Sequence, residues 1–434
     1  MDTKELYELF KQHPAVTTDS RNVPPGSIFF ALKGAHFNGN AYAADAIERG
    51  CSYAIIDDLS ACPPGDKHFI LVPDALKALQ ELAHEHRCRL RTPIIQVTGS
   101  NGKTTSKELA AAVLACSHNV LYTQGNLNNH IGVPLTLLKL KPEHTIAIVE
   151  TGANHPGEIN MLAHIVEPDY GLITNIGNAH LEGFGSIEGV QRAKGELYDF
   201  LRPKHGSVFV DADNLLLTSM TAGLKQIRYG LPYAQPNLTV EGEAIECAPL
   251  LTLRWRPTGN SHWLTVRTHL LGAYNLKNVL AAATIGITFG INPTDISAAL
   301  ATYQPLNGRS MLMRTNHNTL FVDAYNANPT SMKAALESFK NLNPKHSMVI
   351  LGDMGELGNA SISEHQNIVD LLKTMNFDCV WLVGQNFKST PHPFRSFLNI
   401  DEVKKALTTH KPAGQTILIK GSHSTNLYQL PDYL

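Results

Sequence analysis

Ile94-Ile95-Gln96-Val97-Thr98-Gly99-Ser100-Asn101-Gly102-Lys103-Thr104-Thr105-Ser106-Lys107 runs from an apolar segment into a turn rich in Gly and Asn, and a helix-forming run over 108–115 follows at once. The apolar residues predict a buried strand, so the local order is strand, glycine turn, helix. That order suits phosphate, because the first N–H groups of a helix lack partners and its dipole places partial positive charge there. Gly99 and Gly102, flanking Ser100 and Asn101, permit positive φ and let phosphate oxygens approach the backbone. Lys103 offers a point charge to β- and γ-phosphates, and the hydroxyl of Thr104, which Thr105 follows, can ligand Mg²⁺. The commoner G-x-x-x-x-G-K-[ST] loop has Gly six positions before its lysine, where this chain has Val97. An ordinary strand-turn-helix with a lysine at the helix start has the same outline. The run of matching features favours ATP or GTP.

The chain of 434 residues predicts about three domains. Hydrophobic residues at 43% are ample for packed cores, and charged residues at 17% argue against disorder. Lys plus Arg number 36 against 38 acids, so no electrostatic argument exists for nucleic acid or an anionic membrane. Six cysteines (Cys51, Cys62, Cys88, Cys116, Cys247, Cys379) are scattered without a C-x-x-C pair, which predicts reduced thiols and no zinc site. The polar start, Met1-Asp2-Thr3-Lys4-Glu5, leads into an amphipathic helical pattern and carries no signal peptide. No apolar run is long enough to span a membrane; the reduced thiols predict a cytoplasmic protein, and a monomer is expected.

Outward from the turn, the pattern predicts an α/β chain of three domains, 1–91, 92–308 and 309–434. In the first, strands are expected over 28–32, 53–56 and 68–72, with helices over 41–49 and from Asp74 to about Cys88. Two turn-rich segments flank its first strand, Thr17-Thr18-Asp19-Ser20-Arg21-Asn22 and Lys33-Gly34-Ala35-His36-Phe37-Asn38-Gly39; their composition suits a ligand site and equally an ordinary connection. In the second, strands over 94–97, 145–149, 170–174 and 207–210 alternate with helices, which predicts a parallel doubly wound sheet. Residues 238–270 read instead as an antiparallel hairpin or meander split by Pro257-Thr258-Gly259-Asn260. A helix over 274–289 follows. Gly308-Arg309-Ser310 marks a junction to a third α/β unit of the dinucleotide-fold type, with strands over 319–322, 348–351, 379–383 and 416–419. That unit lacks G-x-G-x-x-G after its first strand, so NAD is not expected.

Further motifs sit past the predicted strands of the second domain. Glu150, in Glu150-Thr151-Gly152-Ala153-Asn154-His155-Pro156-Gly157-Glu158, ends a strand beside the phosphate-turn strand, where a carboxylate can hold Mg²⁺ or act as a helix cap. His180, in Asn178-Ala179-His180-Leu181-Glu182-Gly183, is a candidate ligand or polar anchor. Lys194, in Gln191-Arg192-Ala193-Lys194-Gly195-Glu196, reads on its own as a solvated helix lysine.

Taken in order, 98–105, 150–154, 179–181, 193–194 and Leu351-Gly352-Asp353-Met354-Gly355-Glu356-Leu357 resemble the Mur ligases, ATP-dependent amide-forming enzymes of peptidoglycan assembly. The resemblance covers nearly all the chain. With Asn126-Leu127-Asn128-Asn129-His130-Ile131-Gly132-Val133-Pro134, it points within the family to the dipeptide-adding member. It implies that residues 99–105 bind ATP phosphates through Lys103, with Thr104 and Glu150 on one Mg²⁺ and His180 serving a second. It implies that Lys194 is carbamylated by CO₂ and so becomes a carboxylate able to sit on Mg²⁺. Lys103, Lys194 and His180 would be the catalytic groups. Asn275 matches the adenine-contacting asparagine, Arg309 the phosphate-contacting arginine and Asp323 the ribose-contacting aspartate, with Asn326 close to the nucleotide; Asn278 reads as structural. Ser20, Arg21, Lys33 and Gly34 match the loops that hold the UDP end of the substrate, and Asn128 and Asn129 join the substrate-binding set.

The implied reaction joins D-alanyl-D-alanine to a UDP-N-acetylmuramoyl-tripeptide through an acyl phosphate, with the third domain supplying the amine. A longer dipeptide needs a cation at the far end of its pocket, for which Lys420 and His423 are candidates. One departure stands there: after Lys420-Gly421-Ser422 the family commonly has Arg, whereas this chain has His423, which cannot pair bidentately with a carboxylate. The rival readings are a sister ligase adding a single amino acid, a folylpolyglutamate synthase, or a nucleotide switch without ligase chemistry. No Asp-Asn-Pro-Arg segment occurs in the third domain, and no N-K-x-D guanine motif supports a GTP switch.

Overall fold

The computed structural model describes residues 1–305, 309–409 and 411–434, so Gly308 of the expected junction lies outside the described residues. The N-terminal unit holds four parallel strands, β1 (Val16–Thr17), β2 (Ile28–Phe30), β3 (Tyr53–Ile56) and β4 (Phe69–Leu71), in that spatial order. Helix Thr3–Gln12 begins with a capping box in which Asp2 and Glu5 satisfy each other's backbone N–H. Helix Ala75–Leu90 is capped by the Asp74 carboxylate on Lys77 N and ends two residues beyond the expected Cys88. The helix expected over 41–49 is shorter: the Asn38 side chain accepts from Asn40 N, a 3₁₀ turn Gly39–Tyr42 follows, and the α-helix runs Ala43–Glu48.

Helix Ala75–Leu90 joins two sheets. Its Leu79, Leu82 and Ala83 are fully buried, in one core with Phe30 and Ile55 of the first sheet and Ile94, Ala147 and Val149 of the central one. Each such aliphatic side chain contributes about 1.5–3 kcal/mol by leaving water, so the N-terminal unit is welded to the central sheet by burial.

The central sheet has nine strands: β5 (Ile94–Thr98), β6 (Val120–Tyr122), β7 (Ile146–Glu150), β8 (Tyr170–Ile173), β9 (Ser207–Asp211), β10 (Lys225–Gly230), β11 (Val240–Glu246), β12 (Thr252–Pro257) and β13 (Leu264–Arg267). Their spatial order is β13-β12-β11-β10-β9-β8-β5-β7-β6. The sheet is parallel from β6 to β11 and antiparallel through β11, β12 and β13. The expected meander is therefore an extension of the doubly wound sheet, with Pro257 ending β12. The chain leaves β5 toward β6 and β7 and returns on the other side as β8. This reversal of strand order opens a crevice at the C-terminal ends of β5 and β8, where α/β sheets take ligands.

The C-terminal unit carries β14 (Met311–Arg314), β15 (Thr319–Asp323), β16 (Ser347–Gly352), β17 (Cys379–Val383), β18 (Arg395–Phe397) and β19 (Thr416–Lys420), ordered β14-β15-β19-β16-β17-β18. All pairs are parallel except the hairpin β14–β15. Separate apolar clusters cover its two faces, and one of them takes in Leu271 of the central unit.

Candidate active site

A cleft of about 600 Å³ opens where the C-terminal ends of β5, β7 and β8 face β15 and helix Pro329–Asn341. Its floor is the phosphate turn. Gly99 has φ +140° and Gly102 has φ +77°, and a Cβ on Gly99 would lie 2.1 Å from Thr174 Oγ1. Side chains brace the turn from the β8 side. Thr174 Oγ1 and Asn175 Nδ2 donate to Asn101 O at 2.6 and 2.9 Å, Asn101 N donates to Asn175 Oδ1, and Ser100 Oγ donates to Gly177 O. Gly102 caps helix Lys103–Leu114 without a side-chain hydrogen bond, so the first helical N–H groups keep no side-chain partner there. The Lys103 ammonium folds back onto Gly99 O at 2.7 Å and Ser100 O at 3.3 Å. Burial lowers its pKa, opposed by Glu150, aided by Arg309 and opposed again by Glu356.

Beside the turn, Glu150 is buried at the end of β7 and both carboxylate oxygens are engaged. Thr104 Oγ1 donates to Oε2 at 2.9 Å and Asn128 Nδ2 to Oε1 at 2.8 Å. Lys107, fully buried, donates to Thr123 O at 2.7 Å and lies 3.6 Å from Glu150 Oε2. Nothing in the sequence reading singled out Lys107, although its position four residues after Lys103 places both on one helix face. Asn129 faces the same cleft and accepts from Ile131 N and Gly132 N just ahead of helix Gly132–Leu137.

Lys194 corrects the view of it as a solvated helix lysine. It is 1% exposed, within helix Ile187–Leu201, donating to Ala153 O at 3.4 Å and lying 5.1 Å from the Phe184 ring centroid. Burial first, and then the charge of Lys103, pull its pKa down to about 7, against Glu158 and Glu196. His180 adopts left-handed backbone, φ 54°, and its Nδ1 faces the Glu356 carboxylate of the C-terminal unit. Glu356 is also left-handed, φ 60°, and its carbonyl accepts from Glu182 N. Two left-handed non-glycine backbones thus meet across the boundary between the units.

On the opposite wall, Asn275 donates to Leu271 O and accepts from Asn278 Nδ2, while Asn278 Oδ1 accepts from Ser106 Oγ. The Arg309 guanidinium lies 3.6 Å from the Tyr325 ring centroid. Asp323 accepts from Lys420 Nζ at 2.6 Å, and Asn326 Oδ1 accepts from Ala327 N. Asn328 Nδ2 donates to Asn101 Oδ1 at 2.7 Å, tying the C-terminal unit to the phosphate turn. Lys420 is 1% exposed and also donates to Asn326 O, so it is committed beside Asp323 and is no free anchor for a peptide carboxylate. His423 lies between the rings of Tyr325 and Tyr428.

Ser20, Arg21, Lys33 and Gly34 are not part of this cleft. They follow the C-terminal ends of the neighbouring strands β1 and β2, on one edge of the N-terminal sheet. There Arg21 pairs with Asp19 at 2.8 Å and Lys33 with Asp57 at 2.9 Å. The cleft thus gathers Ser100 to Thr105, Asn128, Asn129, Glu150, His180, Asn275, Arg309, Asp323 and Asn326, with Lys194 buried behind it.

Comparison with known proteins agrees along the chain. Residues 97–286 match the Mur ligase middle domain, 308–423 the Mur ligase, glutamate ligase domain, and 14–87 the Mur ligase family, catalytic domain. The UDP-N-acetylmuramoyl-tripeptide--D-alanyl-D-alanine ligase of Escherichia coli is 36% identical over 429 residues, covering 96% of this chain and 92% of that one. The ligase of the same name from Bacillus subtilis is 34% identical, covering 85% and 80%. A crystal structure of MurF from Acinetobacter baumannii superposes with a TM-score of 0.84 at 32% identity, covering 96% of this chain and 92% of that one. From its three matched domains and its full-length relatives, this chain belongs to the Mur ligase family.

Proposed function

We propose that the protein is the ATP-dependent ligase that joins D-alanyl-D-alanine to a UDP-N-acetylmuramoyl-tripeptide in cytoplasmic peptidoglycan precursor synthesis, acting as a monomer. The observation that carries the reading is the phosphate turn with Lys103, Thr104 and Glu150 in one cleft shared by the central and C-terminal units. The full-length relatives named as that ligase supply the two substrates. Among the described residues no helix is long and apolar enough to cross a membrane.

In this reading residues 1–91 hold the UDP end, with Ser20, Arg21, Lys33 and Gly34 on the sheet edge that receives it. Residues 92–308 bind ATP, and 309–434 bring the amine. Asn128 and Asn129 face the acceptor peptide. Asn275 reads adenine, Asp323 and Asn326 the ribose side, and Arg309 the phosphates. Lys103 releases its loop carbonyls and turns its charge onto the γ-phosphate, where the acceptor carboxylate attacks to give an acyl phosphate. The amine then displaces phosphate. Contacts across the seam from Asn328 and Glu356 help keep water from that acyl phosphate.

The buried hard-oxygen pair Thr104 and Glu150, beside the phosphate turn, fits Mg²⁺. His180 and a carbamylated Lys194 would hold a second ion. Magnesium supplies positive charge against the crowded oxygens. Lys194 fits carbamylation because CO₂ adds to a neutral amine, and a buried lysine with its pKa near 7 is neutral in large part at physiological pH.

The test is phosphate release with ATP, the UDP-tripeptide and each of D-Ala-D-Ala, D-Ala, meso-diaminopimelate and L-Lys. The dipeptide is expected to lead in kcat/KM by about 10²-fold, because a shorter amine leaves part of its pocket unpaired. A single amino acid that matches the dipeptide moves the assignment to a sister ligase.

A further inference from the structure

The amine substrate of such a ligase reaches the enzyme mostly as an ammonium, since free α-amino groups titrate near pH 7.7–8.0. An ammonium entering a cleft that already holds Lys103, Arg309 and Lys420 needs a carboxylate to receive it. Most candidates are committed. Glu150 takes Thr104 and Asn128, Asp323 takes Lys420, and Asp211 takes Lys277 at 2.7 Å. Glu158 accepts the backbone N–H groups of Asn154 and His155 through one oxygen, Oε2, and belongs to the central unit rather than to the one expected to bring the amine.

Glu356 differs. Its side chain is 53% exposed and its one side-chain partner among the described residues is the His180 ring. It sits at the margin of the cleft, facing His180, which lines it. It also belongs to the C-terminal unit, on the loop after β16, with left-handed backbone that aims it across the seam. Glu182 N fixes its carbonyl from the central unit.

We propose that Glu356 receives the ammonium of the incoming amine substrate and so sets its nitrogen beside His180 at the margin of the cleft, where that nitrogen becomes the nucleophile once it has given a proton to solvent. His180 is its partner until the amine arrives. The inference rests on the ligase reading and names a binding group that the reading leaves open. The competing explanation is a purely mechanical contact that holds the two units together.

Steady-state kinetics of the full chain with ATP, Mg²⁺ and the UDP-tripeptide separate the two. Glu356→Gln is expected to raise KM for D-Ala-D-Ala by about 10²-fold, the usual consequence of removing one partner of a hydrogen-bonded charge pair. KM for ATP and for the UDP-tripeptide should rise far less. Glu356→Asp keeps the charge and should recover much of the loss, which guards against a folding defect. D-Lactyl-D-alanine, with a hydroxyl where the dipeptide carries its ammonium, should inhibit wild type and Glu356→Gln equally. An unchanged dipeptide KM, or an equal rise in all three KM values, overturns the proposal while the ligase reading stands. If wild type rejects D-Ala-D-Ala and takes another amine, the substrate reading fails, and the same comparison with that amine decides the role of Glu356. Wild type that turns over no amine overturns both.

Discussion

Among single residues, Lys103 and Lys194 carry the sharpest expectations. Lys103→Ala should cut ATP turnover by about 10²-fold or more, because the variant loses roughly 3 kcal/mol of charge stabilisation in the transition state. Circular dichroism should show the fold intact, since the side chain caps its own loop and packs no core. Turnover near the wild-type value would remove the phosphate role. Lys194→Arg tests carbamylation, because it keeps the positive charge but cannot take up CO₂. It should be nearly inactive, and intact mass measured in bicarbonate should show added CO₂ on the wild type only. An unmodified lysine in a fully active enzyme would end that proposal. The two lysines also differ in legibility. Lys103 stands inside a contiguous motif whose chemistry reads directly. The burial of Lys194 comes from Phe184, Ala153 and the packing of its own helix, which spacing along the chain does not reveal.

Helix Ala75–Leu90 is the element on which the N-terminal and central units depend together. Leu82, fully buried in their shared core, should lose about 2–5 kcal/mol of stability on substitution by Ala. Its neighbour His86 makes the same helix sensitive to pH. Burial lowers the His86 pKa, although its Nε2 lies 2.8 Å from Leu140 O and that contact opposes the shift. With the folded pKa below the ordinary 6.5, the unfolded chain binds more protons as pH falls through that window. Stability from this group is therefore full above pH 6.5 and is lost as the medium acidifies toward the folded pKa. Urea unfolding at stepped pH should show a slope of up to about 1.4 kcal/mol per pH unit in wild type that His86→Leu lacks. Equal slopes in both proteins would show that His86 titrates alike folded and unfolded. The strands β6 and β10 show why elements of this size escape a sequence reading. β6 is three half-buried residues at a sheet edge, and β10, Lys225–Gly230, is polar over much of its length. Their place comes from pairing with β7 and β9 rather than from a hydrophobic period of their own.

Across the whole molecule, the N-terminal and central units share a continuous core, whereas the cores of the C-terminal unit take in little of the central unit beyond Leu271, and that unit meets the phosphate turn through polar contacts. Asn328→Ala removes the hydrogen bond to Asn101 and the cap of helix Pro329–Asn341, so the C-terminal unit should lose about 1 kcal/mol. Hydrogen exchange is the measurement: amides of 309–434 should exchange faster while those of the shared core do not change. Faster exchange throughout would mean that the three units open as one. The amino-acid sequence by itself determined the α/β class, the phosphate turn and the resemblance that names the chemistry, because each rests on contiguous residues whose spacing carries the physics. Only the tertiary structure decided which groups converge. It brought Asn101 to Asn328 and His180 to Glu356, and it turned Lys420 from a candidate peptide anchor into the partner of Asp323. Such pairs are set by strand order and by the seating of one unit on another. A linear pattern holds no record of either, since residues 97 to 227 positions apart become neighbours only when the hydrophobic cores between them have closed.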